Sequence, residues 1–216
     1  GTQAARDLTM AAIAAGKHVV TANKALLALH GDEIFAQAHR HGVMVLYEGA
    51  AICLHLADTH PQAQLMPALG SAARAHAYKW LLWLSNTFQP DIMMFYYPER
   101  YVQTDDLAVI RQVAEQAQAR IKGHLEQLDD ELARTPATGM ARSKSSEDLE
   151  DAHTWFMGSQ YTVLDAYVFT LCRWTRNFET YPARSFPHLG PYLRRMIERP
   201  AVQRVCATEK LHPQLI

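Results

Sequence analysis

Gly158-Ser159-Gln160-Tyr161-Thr162-Val163-Leu164-Asp165 is the stretch whose reading decides the fold. A threonine followed three residues later by an acid, just ahead of an apolar run, is the signature of a helix start. Thr162 can accept a hydrogen bond from the Asp165 amide, and the Asp165 carboxylate can reach back to the Thr162 amide. The acid also lies at the positive end of the helix dipole. Losing either partner of this capping box is expected to cost about 1 kcal/mol. Thr162 and Asp165 therefore stabilise folding and take no part in chemistry. The helix they start, Thr162 to Arg176, is apolar nearly all round and is expected to be buried.

Working outward, the chain is helical on both sides. Gly190 to Glu198 and Ala201 to Lys210 read as short helices around Pro200. Upstream, Thr135 to Asp151 is rich in Ser, Lys and Glu and reads as a mobile surface loop. Thr104 can cap a helix running to Arg134, and Ser71 a longer one to Tyr97 that Pro90 bends. Trp80, Trp83 and Tyr96 of that helix read as core. Thr59 to Gly70 (THPQAQLMPALG) is a proline-punctuated linker, preceded by a short helix over Ala51 to Asp58.

The first 50 residues differ. Ala4 to Ala15 is an Ala-rich helix stopped by Gly16. Lys17 to Ala22 (KHVVTA) is a short buried strand. Asn23 to Arg40 returns to helical spacing, with Leu26, Leu27, Ile34, Phe35 and Ala38 able to share a face, and Gly42 ends that stretch. Val43 to Tyr47 is a second apolar strand. Two strands joined through a helix are expected to pair in parallel. The fold class is mainly α: a helical bundle preceded by a small, truncated α/β segment in the order helix–strand–helix–strand–helix. The expected divisions are 1–58, a linker over 59–70, and a helical domain over 71–216.

Composition narrows the functions. The 216 residues are 49% hydrophobic, enough for a sizeable core. With 21 basic and 22 acidic residues the formal charge is −1, which argues against a nucleic-acid surface. Apolar runs such as Trp80 to Leu84 are too short to span a bilayer. No charged-then-apolar leader is visible, so a cytoplasmic protein without a membrane partner is expected. The chain starts at Gly1 without a Met, as a processed or trimmed chain would. Cys53, Cys172 and Cys206 have no metal spacing and read as reduced thiols. His39 and His41, like His55 and His60, are not spaced to share a helix face, so no metal is expected.

From Ala50 onward the residues resemble the glutathione S-transferase family. Ala50-Ala51-Ile52-Cys53-Leu54-His55-Leu56-Ala57-Asp58 is similar to the third helix of that family's thioredoxin-like domain. Pro61, Leu65 and Pro67 resemble its interdomain connection. Gly158 to Asp165 resembles the capping box and hydrophobic staple of its central helix. Phe186-Pro187-His188-Leu189 through Arg199-Pro200-Ala201-Val202 resembles its C-terminal pattern. The resemblance covers about three quarters of the chain and implies glutathione as co-substrate, a hydrophobic electrophile as second substrate, and a homodimer.

The α/β half expected of that family is not matched. Its early Ser, Tyr or Cys and its Val-Pro motif are missing, and no proline precedes Pro61. Gly1-Thr2, Ala5-Arg6-Asp7-Leu8 and Ala15-Gly16-Lys17-His18-Val19-Val20-Thr21-Ala22-Asn23-Lys24-Ala25-Leu26-Leu27 instead resemble homoserine dehydrogenase. Tyr47-Glu48-Gly49-Ala50 resembles the strand entering that family's substrate domain. The family implies an active-site role for Lys24, but the Gly-rich dinucleotide loop and substrate domain that such a role needs are not found within these residues, and Lys24 reads as a solvated lysine beside a helix start. The two resemblances meet at Glu48-Gly49-Ala50-Ala51-Ile52, as in a chimera joined within a shared motif. Transferases have Glu-Ser-x-Ala-Ile here, and the acid and serine hold the γ-glutamyl end of glutathione. This chain keeps Glu48 and replaces the serine with Gly49.

Two candidate sites follow. Glu48, Gly49 and Ala50 are the candidate glutathione-binding residues, at a helix start whose free amides favour a carboxylate. The bland alternative is a helix N-terminus with nothing bound. Asn86, Gln89, Met93 and Tyr97, three or four apart, are candidates for one wall of a hydrophobic-substrate pocket, as the resemblance implies. The catalytic residue is unknown: Thr2, Thr9 and Thr21 are the only early hydroxyls, and Cys53 reads as an inert thiol on an apolar helix. The readings to separate are a glutathione S-transferase-like enzyme, a non-catalytic chimeric or binding protein with that helical fold, and a homoserine dehydrogenase-related activity.

Overall fold

A computed structural model describes residues 2–134, 155–211 and 216. The chain divides into two compact units, Gly1–Pro61 and Gln62–Ile216. The stretch Thr135 to Asp151, expected as a surface loop, lies outside the described residues.

The first unit alternates helix and strand. Helix α1 (Thr2–Ala14) ends where Gly16 adopts φ +71°, which lets the Lys17 amide reach the Ala12 carbonyl at 3.0 Å. Strand β1 (Val19–Val20) leads to α2 (Lys24–Arg40), capped by the Asn23 side chain, which accepts from the Leu26 amide at 3.0 Å. Gly42, at φ +63°, turns the chain into β2 (Val45–Leu46), and α3 (Gly49–Thr59) follows. The strands pair in parallel as expected, Val19 opposite Val45 and Val20 opposite Leu46. Ile13, Leu26, Ile34 and Ala38 form the core, with Leu27 and Val45 packed against it. Arg6 of α1 forks onto both oxygens of Glu33 of α2 and fixes the two helices side by side.

Two expectations need correction here. The strands are two residues each, not five or six, because a lone pair has no neighbour to continue its ladder. Val20 is accordingly 49% exposed rather than buried. Phe35 is also outside the core and packs its ring on Tyr47, 5.8 Å between centroids.

The second unit is a helical bundle. Ser71 starts α4 (Ala72–Trp83) by accepting from the Arg74 amide at 3.1 Å. The helix passes through a π-type turn, Leu84–Phe88, into α5 (Gln89–Tyr96). Pro90 sits in the first turn of α5, so the break before it is a change of hydrogen-bond register rather than a simple bend. Helix α6 (Leu107–Arg134) buries Ala117, Ile121, Leu125 and Leu128 along one stripe. Its start differs from expectation. Asp106 Oδ1 accepts the Ala108 amide, while Thr104 Oγ1 holds the Asp106 amide two residues upstream. After α7 (Val163–Trp174) come α8 (Leu189–Glu198) and α9 (Pro200–Thr208).

The core of this unit mixes aromatic and aliphatic side chains. Trp80 is buried edge-on to Phe156, 5.2 Å between centroids, and Leu164, Val168, Leu171, Leu193 and Met196 continue the packing. Trp83 lies half-buried against Phe88 and His124. Tyr96, expected in the core, is exposed, because its hydroxyl donates to the Trp174 carbonyl at the end of α7.

Two glycines test the packing in opposite directions. A methyl on Gly190 would stand 2.5 Å from the Arg184 carbonyl oxygen, whereas one on Gly123 of α6 meets nothing within 4 Å. Gly190→Ala is therefore expected to lower unfolding free energy by about 1–3 kcal/mol. Gly123→Ala should raise it by about 0.5–1 kcal/mol. Urea denaturation of both variants checks the pair. A Gly190→Ala protein as stable as the parent would contradict the close approach.

Candidate functional site

Parallel pairing brings equivalent ends of β1 and β2 to the same side. The chain leaving β1 enters α2 at Lys24, and the chain leaving β2 enters α3 after Glu48. The two side chains meet there, Lys24 Nζ donating to Glu48 Oε2 at 3.1 Å. Both are more than half exposed, so this ion pair contributes little to stability. Glu48 occupies the N-cap position of α3 with φ +71° and makes no side-chain cap. That left-handed backbone is strained for a residue with a Cβ. Its carbonyl accepts the Ile52 amide at 3.0 Å, so the helical ladder starts at once. The amides of the first turn, from Gly49 onward, have no intrahelical acceptor and form the positive end of α3. Gly49 is exposed and Ala50 half-buried, which leaves the turn open at the glycine.

The early nucleophile candidates are placed differently. Thr9 is buried within α1. Thr21 Oγ1 accepts the Asn23 amide at 3.1 Å, shaping the turn into α2. Cys53 lies half-buried on α3, and burial pushes its thiol pKa up, away from the reactive thiolate.

The second candidate set belongs to the second unit. Asn86 falls inside the π-type turn, is exposed, and accepts from the Ser85 hydroxyl at 3.1 Å. Gln89 is half-buried, and its Oε1 accepts from the Tyr167 hydroxyl of α7 at 2.5 Å. Met93 is half-buried, and Tyr97 is exposed at the end of α5 with the Arg100 guanidinium 4.1 Å above its ring. The extra residue of the π-type turn rotates what precedes it by about 100° relative to an unbroken helix. Met93 and Tyr97 keep the four-residue spacing of one α5 face. Asn86 is offset from them.

A cavity of about 300 Å³ occurs elsewhere in this unit, where α7 and α8 meet α9. Phe169, Val202 and Val205 line it together with Arg173 and Cys206. The sequence reading missed it. Arg173 stands near the C-terminus of α7, where a cation reads as an ordinary complement to the helix dipole.

Thr162 and Asp165 form the capping box of α7. Asp165 Oδ2 accepts the Thr162 amide at 2.7 Å and the Thr162 hydroxyl at 3.1 Å. Its Oδ1 accepts the Phe156 amide at 2.7 Å and the Tyr192 hydroxyl at 2.9 Å. Burial pushes the Asp165 carboxyl above the usual range, against the pull of these four hydrogen bonds toward the ionised form.

Comparison with known proteins assigns different relatives to different parts of the chain. Residues 111–203 match the profile of "Glutathione S-transferase, C-terminal domain", and residues 1–48 match that of "Homoserine dehydrogenase, NAD binding domain". Glutathione S-transferase GstA of Escherichia coli O157:H7 is 27% identical over 198 residues, 84% of this chain and 81% of that protein. Homoserine dehydrogenase of Pseudomonas aeruginosa is 58% identical over 50 residues, 23% of this chain but 12% of that enzyme. Among solved structures, a sphingomonad glutathione S-transferase complexed with glutathione superposes with a TM-score of 0.57 at 26% identity, covering 77% of this chain and 69% of that one. Over most of its length, then, the protein is glutathione S-transferase-like. Its first 48 residues are homoserine dehydrogenase-like.

Two substitutions probe these sites. Asp165→Ala would remove the acceptor of four buried hydrogen bonds, and a loss of about 3 kcal/mol or more is expected. Glu48→Gly would relieve the left-handed backbone and is expected to add about 1 kcal/mol. Denaturant midpoints measure both. A Glu48→Gly variant no more stable than the parent would remove the strain argument.

Proposed function

We propose that the protein is a glutathione S-transferase-like enzyme that conjugates glutathione to a small hydrophobic electrophile. Glu48, Gly49 and Ala50 receive the γ-glutamyl end. The observation carrying this reading is the start of α3. An acid stands beside a turn of unpartnered amides on a helix that, with the bundle behind it in sequence, resembles the transferases. Glu48 can take the ligand's ammonium in place of Lys24, and the amides of Gly49 and Ala50 can take its carboxylate. Within the second unit, Gln89, Met93 and Tyr97 recur every four residues along α5, and with Asn86 they are the candidate surface for the electrophile. The thiol sulfur attacks the electrophilic carbon and a C–S bond forms. The leaving group departs with its electron pair, and the thiol proton passes to water.

A second reading has a specific observation in its favour. Thr9 is buried and Thr21 is engaged with the Asn23 amide, so neither is poised to lower a thiol pKa. On this reading the protein binds glutathione without turning it over. The third reading, aspartate semialdehyde reduction with a nicotinamide nucleotide, would have Lys24 as its active-site residue. In either transferase reading the protein is a homodimer and cytoplasmic, with no metal and no nucleic-acid partner.

Glutathione-resin retention and conjugation of 1-chloro-2,4-dinitrobenzene separate the readings. The enzyme reading expects retention that free glutathione competes, weakened at least fivefold in Glu48→Gln, with turnover above buffer. Retention without turnover supports the binding protein. Flow-through of folded protein with no turnover sinks both. Sedimentation equilibrium checks the dimer, which a monomer at micromolar concentration would refute.

A further inference from the structure

We propose that the cavity bounded by α7, α8 and α9 is a binding site for a small amphipathic carboxylate, with the carboxylate held by the Arg173 guanidinium and the apolar chain against Phe169, Met196, Val202 and Val205. This inference is independent of the transferase reading, because none of its residues belongs to either candidate set above.

The size comes first. At about 300 Å³ the cavity lies at the small end of the range occupied by small-molecule sites. Its walls are mostly apolar, and among the described residues no acidic side chain lines it. An apolar cavity by itself would suit any greasy molecule. Arg173 makes the choice.

Arg173 Nε is buried and has no hydrogen-bond partner among the described residues. A guanidinium stays charged in proteins and presents five donors in a planar fork, so burying part of it without an acceptor is costly. Arg176, one helical turn away, adds a like charge, and burial together with that charge disfavours the protonated form of Arg173. Arg199 does not line the cavity but stacks on Tyr161, which does. Its guanidinium lies 3.6 Å from the Tyr161 ring centroid and 4.9 Å from that of Trp155, and its Nε is also buried, with no hydrogen-bond partner among the described residues. Arg173 thus brings a positive charge to an apolar cavity that has no acid among its described lining residues.

A carboxylate answers this arrangement in both geometry and sign, since its two oxygens match a guanidinium fork. A neutral chain of the same length would fill the hole but leave Arg173 unsatisfied. An ammonium would be repelled. Cys206 sits on the α9 side of the cavity and reports on occupancy without belonging to the recognition.

Decanoate, decanol and decylamine are the probes, titrated calorimetrically into the full chain. Decanoate is expected to bind at least tenfold more tightly than decanol, with no measurable binding of decylamine. Arg173→Met keeps the stem and removes the fork. It should weaken decanoate at least tenfold and leave decanol unchanged. Val205→Trp fills the cavity and should weaken both. In the unmodified protein, decanoate should slow N-ethylmaleimide labelling of Cys206 at least threefold, read by peptide mass spectrometry, so the test stands even if a variant misfolds. Equal affinity for decanoate and decanol would overturn the proposal. So would unchanged decanoate binding in folded Arg173→Met, or Cys206 labelling indifferent to decanoate.

Discussion

One carboxylate organises the helical unit. Asp165 is fully buried, and its two oxygens collect the amides of Phe156 and Thr162 and the hydroxyls of Thr162 and Tyr192. Each bond fixes something different. The Thr162 pair sets the first turn of α7, and the Phe156 amide pins the preceding loop, which places the Phe156 ring against Trp80. The Tyr192 hydroxyl ties α8 to the same point. The Val163 amide donates to the Leu65 carbonyl at 3.0 Å, so the residues leading into α4 are fastened there too. A buried charge of this kind is tolerable only when its lone pairs are used, and here four donors use them.

Asp129 repeats the device with a different reach. From the last turns of α6 its Oδ1 accepts the amides of His188 at 2.8 Å and Leu189 at 2.7 Å, and so supplies the cap that α8 lacks in its own sequence. Two of the buried polar side chains of the bundle thus serve helix N-termini, where unpaired amides demand acceptors, while Thr175 serves the C-terminal end of α7 by donating to the Cys172 carbonyl and accepting the Ala183 amide. The faces between them stay aliphatic and aromatic.

That division explains what could be read from the sequence. Thr162 and Asp165 were legible because both partners of the box lie within one turn. Asp129 and its amides lie about sixty residues apart, and no local pattern announces them. Ser71 was legible as a local cap. Thr104 was displaced by Asp106 because both are good capping residues two positions apart. The π-type turn over Leu84–Phe88 has no composition of its own, and the proline after it drew attention to a bend instead. The apolar runs at Lys17 to Ala22 and Val43 to Tyr47 are longer than the two-residue strands they contain, because a run marks β propensity whereas the length of a ladder depends on neighbours the run cannot show. In the candidate glutathione site, Glu48, Gly49 and Ala50 were legible through family resemblance and the rule for helix starts. The meeting of Lys24 with Glu48 had to wait for the parallel pairing. Arg173 stayed hidden because a cation near a helix C-terminus is unremarkable until an empty apolar volume is found beside it.

The ribbon of β1 and β2 carries a consequence for the order of folding. Closing it joins Val19 to Val45 across the whole of α2, an entropic loss that so few ladder bonds return poorly. The contacts of Ile13, Leu26, Ile34 and Ala38 between α1 and α2 are therefore expected to form before the ribbon closes, and the ribbon to open before they do. When it opens, the facing rims of two apolar strands lose their hydrogen-bond partners and meet solvent.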